Sequence, residues 1–533
     1  MSKSKSVVKQ ASFLAIAGIL VRIIGLLYRS PLTAMIGDEG NGYYSTAYNI
    51  YALVLLISSY SIPTAISKLI SEKLALNQYN NAYKILKCTF IYILVVAGSA
   101  AIIVFILAPY IVMDNAVPAL RVLCPTIFLS GLLGVFRGYF QAHQVTVYTS
   151  ISQVLEQILN AAVSLGAAYL FIQPYISTGG SKLASAGATG SALGTGAGVL
   201  IALIYMVLVY LRKKDKLYEK VDEDETENSY IEIFKTILHI VTPIIVATCI
   251  YNLITTIDMY LYYFAVGLQN MSDAQAAATY GIYSGKYVPL QNVPVALASA
   301  MSAATIPAIS SAWATRDHKT TIHQIQSSIN TTMLILIPAA IGMAVLSYPI
   351  MGLLFPQQET LRTAANLLCY GSPAIIFYGL STISNGILQG IGEVNIPLKN
   401  AAIALVCHIV IDFILLVFTP LGVYVLIIGN IIYPMQVSFM NQHDLKKLMG
   451  YKQEYKKTYI LPLISAIIMG IIVYGVYQGL FYLTRMVFIP LMISIIVGVV
   501  VYFVIIMYMS SDHPEYLEDI PYINRIARKF KRS

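Results

Sequence analysis

The apolar residues of this chain form long runs, and short breaks rich in charged residues, glycine or proline separate them. A helix of about 20 apolar residues crosses a hydrocarbon core of ~30 Å. The pattern therefore predicts an all-α polytopic membrane protein of about fourteen transmembrane helices. The predicted spans are residues 10–36, 43–72, 83–113, 116–141, 146–173, 184–211, 231–266, 276–308, 321–347, 360–388, 395–418, 421–445, 457–480 and 486–510.

The basic residues between the spans predict an orientation. If the N-terminus is cytoplasmic, nearly every loop Lys and Arg falls on the cytoplasmic side, and only four fall outside: Arg121, Lys182, Arg362 and Arg485. Cytoplasmic loops of membrane proteins carry this bias. We therefore expect both termini in the cytoplasm.

A long polar stretch at residues 212–230 separates two groups of six spans and is first basic, then acidic. Short motifs recur on corresponding helices of the two groups, at residues 138–142 and 386–390, which favours a pseudo-twofold repeat. The predicted parts are an N-lobe, a cytoplasmic linker, a C-lobe, two further helices and a basic cytoplasmic tail, at residues 1–211, 212–230, 231–447, 448–510 and 511–533.

Composition narrows the class of protein. Only 11% of residues are charged and 57% are hydrophobic, with a mean hydropathy of +0.71, so polar surface is too scarce to coat soluble domains. The net charge of +9 comes from basic residues between apolar runs rather than from one basic patch, so we expect no nucleic-acid partner. Neither a P-loop nor a hydrolase or zinc-protease motif lies in a suitable context, and the sequence predicts no enzyme.

Three basic residues lie inside predicted spans: Arg22, Arg29 and Lys286. Arg22 and Arg29 are two turns apart, so they share one face of the first helix at a separation of ~10 Å. A charge near the midplane needs a partner or a watery cavity, which favours a site for a phosphate or pyrophosphate. For Arg29 the alternative is snorkelling to the outer interface.

Acidic residues within spans are equally sparse: Glu156, Asp258 and Asp412, with His408 one turn before Asp412. Each carboxylate has two interpretations. It neutralises a buried Lys or Arg, or it is functional, and for Asp258 and Asp412 that function would be to bind a coupling ion, Na⁺ or H⁺. The His–Asp pair lacks a third ligand at the spacing of a zinc site, so no metal beyond a monovalent cation is expected.

Two further patterns have structural explanations. A small-residue stripe in the sixth span, at Gly190, Gly194 and Gly198, predicts close helix packing. Many of the forty tyrosines lie near span ends and predict interfacial belts, for example Tyr43, Tyr44, Tyr110 and Tyr175.

Several motifs resemble the MOP (multidrug, oligosaccharidyl-lipid, polysaccharide) exporters, in the Gram-positive polysaccharide and lipid II flippase branch. These motifs are residues 22–29 (RIIGLLYR), 36–44 (IGDEGNGYY), 61–68 (SIPTAISK), 152–157 (SQVLEQ) and 283–287 (YSGKY). The resemblance covers the whole chain.

The resemblance implies a lipid II flippase of the bacterial cytoplasmic membrane that works by alternating access of two lobes around a cationic cavity. Arg22, Arg29, Lys286 and Glu156 would form the substrate site. Asp258, Asp412 and His408 would bind the coupling cation, with no other cofactor. The last two helices would line a groove for the lipid tail. The implied partners are the bilayer, a lipid-linked oligosaccharide and the cell-wall synthesis machinery.

Three alternatives remain open from the sequence. The first is a flippase for another lipid-linked polysaccharide or spore-wall precursor, whose anchor demands the same cations. The second is a cation-coupled multidrug exporter, against which the midplane Arg22 and Lys286 count. The third is a membrane-embedded enzyme or a non-transporting scaffold, which would need no cationic cavity.

Overall fold

The computed structural model describes residues 2–60, 62–218, 228–355 and 357–510, which are helical and contain no strand. The chain divides into two compact units, Met1–Gly285 and Lys286–Ser533. The α-helices are α1 (Ser2–Leu55), α2 (Ile62–Ala75), α3 (Tyr79–Ile111), α4 (Val117–Ala142), α5 (Val147–Ile172), α6 (Gly180–Tyr218), α7 (Tyr230–Leu268), α8 (Asp273–Gly281), α9 (Val288–Ala314), α10 (His318–Val345), α11 (Ser347–Leu354), α12 (Gln358–Gly371), α13 (Pro373–Gly390), α14 (Asn395–Phe418), α15 (Tyr424–Met449), α16 (Leu461–Thr484) and α17 (Phe488–Met509).

Within the described residues, one or more helices of the structure cover each of the fourteen predicted spans. Within the part of the chain that is described, ten segments are long and apolar enough to cross a membrane. An eleventh span results if α12 and α13, bent by 44°, are taken together. One of the ten, Leu20–Ala75, covers two predicted spans, and α7 and α15 coincide with the remaining two. The expected all-α membrane fold is confirmed.

The connection between the first two spans differs from the prediction. The sequence predicts a polar loop at residues 37–42, whereas the helix breaks only at Gly37, whose φ is 70° and ψ is 178°. Asp38 and Asn41 are then buried instead of lying in a solvated loop. Asn41 donates its Nδ2–H to the Thr33 hydroxyl at 2.8 Å, which satisfies the buried amide group.

Glycines set the closest helix contacts of the first unit. The stripe on α6 packs on α5 as predicted: a Cβ built at Gly190 would lie 2.7 Å from Ala167 main-chain atoms. A second seam joins the later part of α1 to α8, where a Cβ at Gly42 would collide with the Ala277 carbonyl and one at Gly281 with the Asp38 carbonyl. Such backbone-to-backbone packing is typical of small residues in membrane helices.

The second unit has a core built from α10, α13, α16 and α17. Ile329 and Met333 of α10, Ile383 of α13 and Ala466 of α16 are fully buried there. Tyr502 of α17 donates its hydroxyl to a main-chain carbonyl of α10 at 2.8 Å. The last two helices therefore pack against α10 as part of this unit's core.

Candidate functional site

The first half of α1 presents a cationic stripe. Arg22 is exposed and Arg29 is half-buried, and Arg29 Nη1 donates to the main-chain carbonyl of Ser284 at 3.4 Å. Between the two arginines, a Cβ built at Gly25 would lie 3.2 Å from the side-chain amide nitrogen of Gln157 on α5. The face that carries the arginines therefore runs beside α5, and a glycine lets the two helices approach there.

Glu156 of α5 forms an ion pair that the sequence did not reveal. Arg137 Nη2 of α4 lies 2.7 Å from Glu156 Oε2, and Arg137 Nε donates to the Ser152 hydroxyl at 2.9 Å. The two charged side chains are 16% and 30% exposed. Of the two interpretations for Glu156, charge neutralisation is the one that these contacts describe.

Tyrosines continue along α1 beyond Gly37. Tyr44 and Tyr48 stack with ring centroids 5.7 Å apart, and Tyr48 lies 5.5 Å from Tyr51. Tyr44 is within 3.2 Å of the Thr195 hydroxyl of α6. The interfacial prediction is wrong for Tyr43 and Tyr44, which are buried at 0% and 3% exposure. These rings pack inside the first unit because the helix continues where a loop was expected.

Lys286 belongs to the second unit and is fully buried. It lies in the π-helical segment Ile282–Tyr287, a distortion that often marks functional sites. Its Nζ donates to the Thr360 hydroxyl at 2.9 Å and lies 5.7 Å from the centroid of the Phe355 ring. The charge that the sequence placed at mid-membrane depth is therefore anchored to a hydroxyl and an aromatic face.

Lys286 is followed by a buried network of neutral polar side chains. Asn430 of α15 donates to the Tyr287 hydroxyl at 3.1 Å and to Gln291 Oε1 at 2.7 Å. Asn430 Oδ1 in turn accepts the Tyr378 hydroxyl of α13 at 2.7 Å. Of its members only Tyr287 lies in a motif seen in the sequence, residues 283–287, because the network joins three helices far apart in the chain.

His408 and Asp412 form a buried pair on α14. Their closest atoms, His408 Nε2 and Asp412 Oδ2, are 3.4 Å apart, and both side chains are fully buried. Gly429 of α15 faces the pair: a Cβ there would lie 2.5 Å from Asp412 Oδ1 and from His408 Cε1. The predicted face is thus real, and a glycine on the next helix leaves the space that the pair occupies.

Asp258, the third residue predicted for ion coupling, lies on α7 in the first unit and is 5% exposed. Carboxylate oxygens are the ligands that hard cations prefer, and a buried carboxylate can instead take up a proton. In the second unit, the buried Asp412 carboxylate and the His408 imidazole are the side chains that offer such groups.

Comparisons with known proteins place this geometry in a family. The family model described as polysaccharide biosynthesis protein matches residues 7–313, and the MatE model matches residues 243–414. The lipid II flippase MurJ of Bacillus subtilis (strain 168) is 29% identical over 433 residues, 77% of each chain. Stage V sporulation protein B of the same organism is 22% identical and covers 87% of this chain and 88% of its own.

Solved structures share the fold. A lipid II flippase MurJ in an inward closed conformation superposes with a TM-score of 0.69 at 17% identity, covering 94% of this chain and 99% of that one. A multidrug resistance MATE transporter of the MOP superfamily, facing inward, gives a TM-score of 0.66 at 14% identity, with 82% and 98% covered. The predicted resemblance is confirmed: the chain shares its fold with the MurJ and MATE transporters, and it belongs to the family described as polysaccharide biosynthesis protein.

Proposed function

We propose that the protein is a flippase that moves lipid II, the undecaprenyl-pyrophosphate-linked peptidoglycan precursor, across the bacterial cytoplasmic membrane. The observation that carries the proposal is the cationic stripe of α1: Arg22 is exposed and Arg29 is half-buried, two helical turns apart on the face that runs beside α5. The similarity to the lipid II flippase MurJ supports the same substrate.

Guanidinium groups suit this substrate. An arginine offers its donors in a planar fork that matches two oxygens of a phosphate, and such charge-assisted bonds are about twice as strong as neutral ones. Arg22 and Arg29 are ~10 Å apart along the helix axis, so the pyrophosphate would contact them together or pass from one to the other. Arg29 already donates to a main-chain carbonyl at 3.4 Å, a long bond that an anion would replace.

Lys286 would join the substrate in a different state of the transport cycle. Here its ammonium group is fully buried and bonded to Thr360, so contact with a pyrophosphate requires that bond to open. Alternating access supplies such a rearrangement, because the protein passes through states with different exposed faces. Burial of the cation between turnovers would keep it from trapping other anions.

For energy coupling we propose Na⁺ or H⁺ taken up by the buried acids. Asp412 with His408 in the second unit, and Asp258 in the first, are carboxylates whose charge is costly in a low-dielectric interior. Uptake of a cation would neutralise that charge and shift the protein between its states. The test is transport in vesicles with an imposed Na⁺ or H⁺ gradient, and indifference to both gradients would contradict this part.

The test of the substrate is complementation. The cell's own lipid II flippase is depleted, this protein is expressed, and lipid II on the outer leaflet is measured for the wild type, Arg22→Ala and Arg121→Ala. Arg121 is the matched control, because it is an exposed arginine near the start of α4, whereas Arg137 lies near the end of that helix. Its guanidinium group lies over the ring of Phe105. We expect rescue by the wild type and Arg121→Ala, and failure of Arg22→Ala at equal membrane level.

Two results would contradict the proposal. Full rescue by Arg22→Ala would show that transport does not need the cationic stripe. If correctly inserted wild type does not rescue the cells, lipid II is not the substrate. The substrate would then be another lipid-linked polysaccharide or spore-wall precursor, which has the same kind of anchor.

A further inference from the structure

A cavity of about 550 Å³ opens between α14 and α15, and none of the residues that line it has been assigned a role above. Its walls combine apolar side chains, Ile403 of α14 and Phe439 of α15 among them, with the polar Lys399, His443 and Asp444. The polar residues lie at the ends of the two helices that the distribution of basic residues places in the cytoplasm. The cavity therefore has a polar end toward the cytoplasm and an apolar part toward the membrane interior, which is also how a lipid of the inner leaflet is oriented.

The back wall of the cavity is rigid. Asn400 is 3% exposed, and its Nδ2 donates to Asp444 Oδ2 at 2.8 Å and to Asn441 Oδ1 at 3.0 Å. Asn441 is fully buried and donates in turn to Ser384 and Asn385 of α13, at 3.0 and 2.7 Å. These bonds fix both helices against a third, so the space between their ends is a built feature of the second unit.

Basic side chains lie at and near the mouth of the cavity. Lys399 and His443 line the cavity and are exposed, and the last turn of α15 adds Lys446 and Lys447. Asp444, the acidic residue among those that line the cavity, accepts a hydrogen bond from the Asn400 amide on the side of the back wall. Basic pockets between transmembrane helices on the cytoplasmic side bind the head groups of anionic lipids.

The apolar part extends toward the bilayer. Phe439 is 58% and Ile403 41% exposed, and Val406 and Val410 continue the exposed apolar side of α14. These side chains suit acyl chains. We propose that the cavity is a binding site for an anionic phospholipid, with its phosphate at Lys399 and His443 and an acyl chain along Ile403 and Phe439. The proposal does not depend on which substrate the protein transports.

The test uses fluorescence quenching in nanodiscs of the full-length protein. The chain has a single tryptophan, so Phe439→Trp in a Trp313→Phe background reports from the cavity alone. Brominated phosphatidylglycerol or brominated phosphatidylcholine is added at equal mole fraction. We expect about fivefold tighter apparent association of phosphatidylglycerol, the effect of one cationic contact at a membrane surface.

Two sets of variants distinguish lipid binding in the cavity from the general attraction of anionic lipids to a basic protein. Lys399→Gln with His443→Gln should reduce the preference to about onefold, because these side chains supply the proposed contacts. Lys319→Gln, an exposed lysine at the start of α10, should leave it unchanged. Should the double variant melt earlier than its parent, each single variant is tested instead.

Three outcomes would overturn the proposal. Equal quenching by both lipids would show an ordinary lipid-facing surface. A preference that survives the replacement of both Lys399 and His443 would place the anionic lipid elsewhere. Protection of the tryptophan from both lipids together with a dimeric mass would mean that a second copy of the chain covers the cavity.

Discussion

Replacing Gly429 by alanine tests whether the buried His408–Asp412 pair matters. The added Cβ would lie 2.5 Å from Asp412 Oδ1 and from His408 Cε1, about 1 Å inside the optimal separation of ~3.5 Å. Both side chains are fully buried on α14, so they cannot swing into solvent. Either the carboxylate leaves its position or α14 and α15 separate.

The magnitude follows from two opposing effects. Overpacking of this kind costs about 1–3 kcal/mol. Alanine in place of glycine within a helix recovers about 1 kcal/mol. Gly342 of α10 provides the matched control, because a Cβ there would meet no atom within 4 Å. Gly342→Ala therefore gains the higher helix propensity of alanine without the collision. The two variants should therefore differ in stability by the collision energy alone, about 1–3 kcal/mol.

The assay compares thermal unfolding of the purified full-length chain, followed by the complementation described for Arg22. Gly429→Ala should melt below the wild type and lose export, whereas Gly342→Ala should melt at or above it and export normally. If the two variants are equally stable and both export, the pair is neither tightly packed nor needed, and the reasoning fails.

Three other perturbations have defined outcomes. Glu156→Gln removes the ionic partner of Arg137 and should lower thermal stability by about 1 kcal/mol, since the pair is partly exposed; an unchanged melting temperature would show that the pair contributes nothing. Lys286→Met keeps the buried volume and removes the charge, so export should fail while the melting temperature holds or rises, and continued export would exclude Lys286 from the mechanism. The Thr320 hydroxyl and amide hold the pKa of Asp317 below its usual range, so the stability that Asp317 adds is present above pH ~4 and lost as the pH falls through that lowered pKa. The difference in melting temperature between the wild type and Asp317→Ala should accordingly vanish in acid, and a constant difference would refute the titration.

The helices could be predicted from the sequence because their signal is local. Length and apolar content alone locate a transmembrane helix, and the α6 glycine stripe depends on a four-residue spacing that is visible in the chain. The loop predicted at residues 37–42 failed for the opposite reason. Polar residues there are accommodated by bonds to partners, such as Thr33 for Asn41, that hydropathy does not register.

The same distinction between local signals and contacts in the fold decides which residues of the candidate site could be predicted. Arg22 and Arg29 stand out because a charge within an apolar run is costly whichever way the helix is rotated about its axis. The Arg137–Glu156 pair did not stand out, because it depends on how α4 and α5 are rotated about their axes. Arg137 lies close enough to the end of α4 to look like a loop charge, and its apolar neighbours on both sides were the available signal.

The glycine seam between α1 and α8 has a consequence for biosynthesis. Gly42 and Gly281 make their contacts across more than two hundred residues of intervening chain, so a ribosome must complete α2 to α7 before the seam can close. Until then the later part of α1 leaves Gly42 and the Asp38 carbonyl without the α8 backbone that covers them in the folded chain. A fragment that stops at residue 211 should consequently be inserted but remain open to proteases at that part of α1, and adding residues 212–285 in trans should restore resistance.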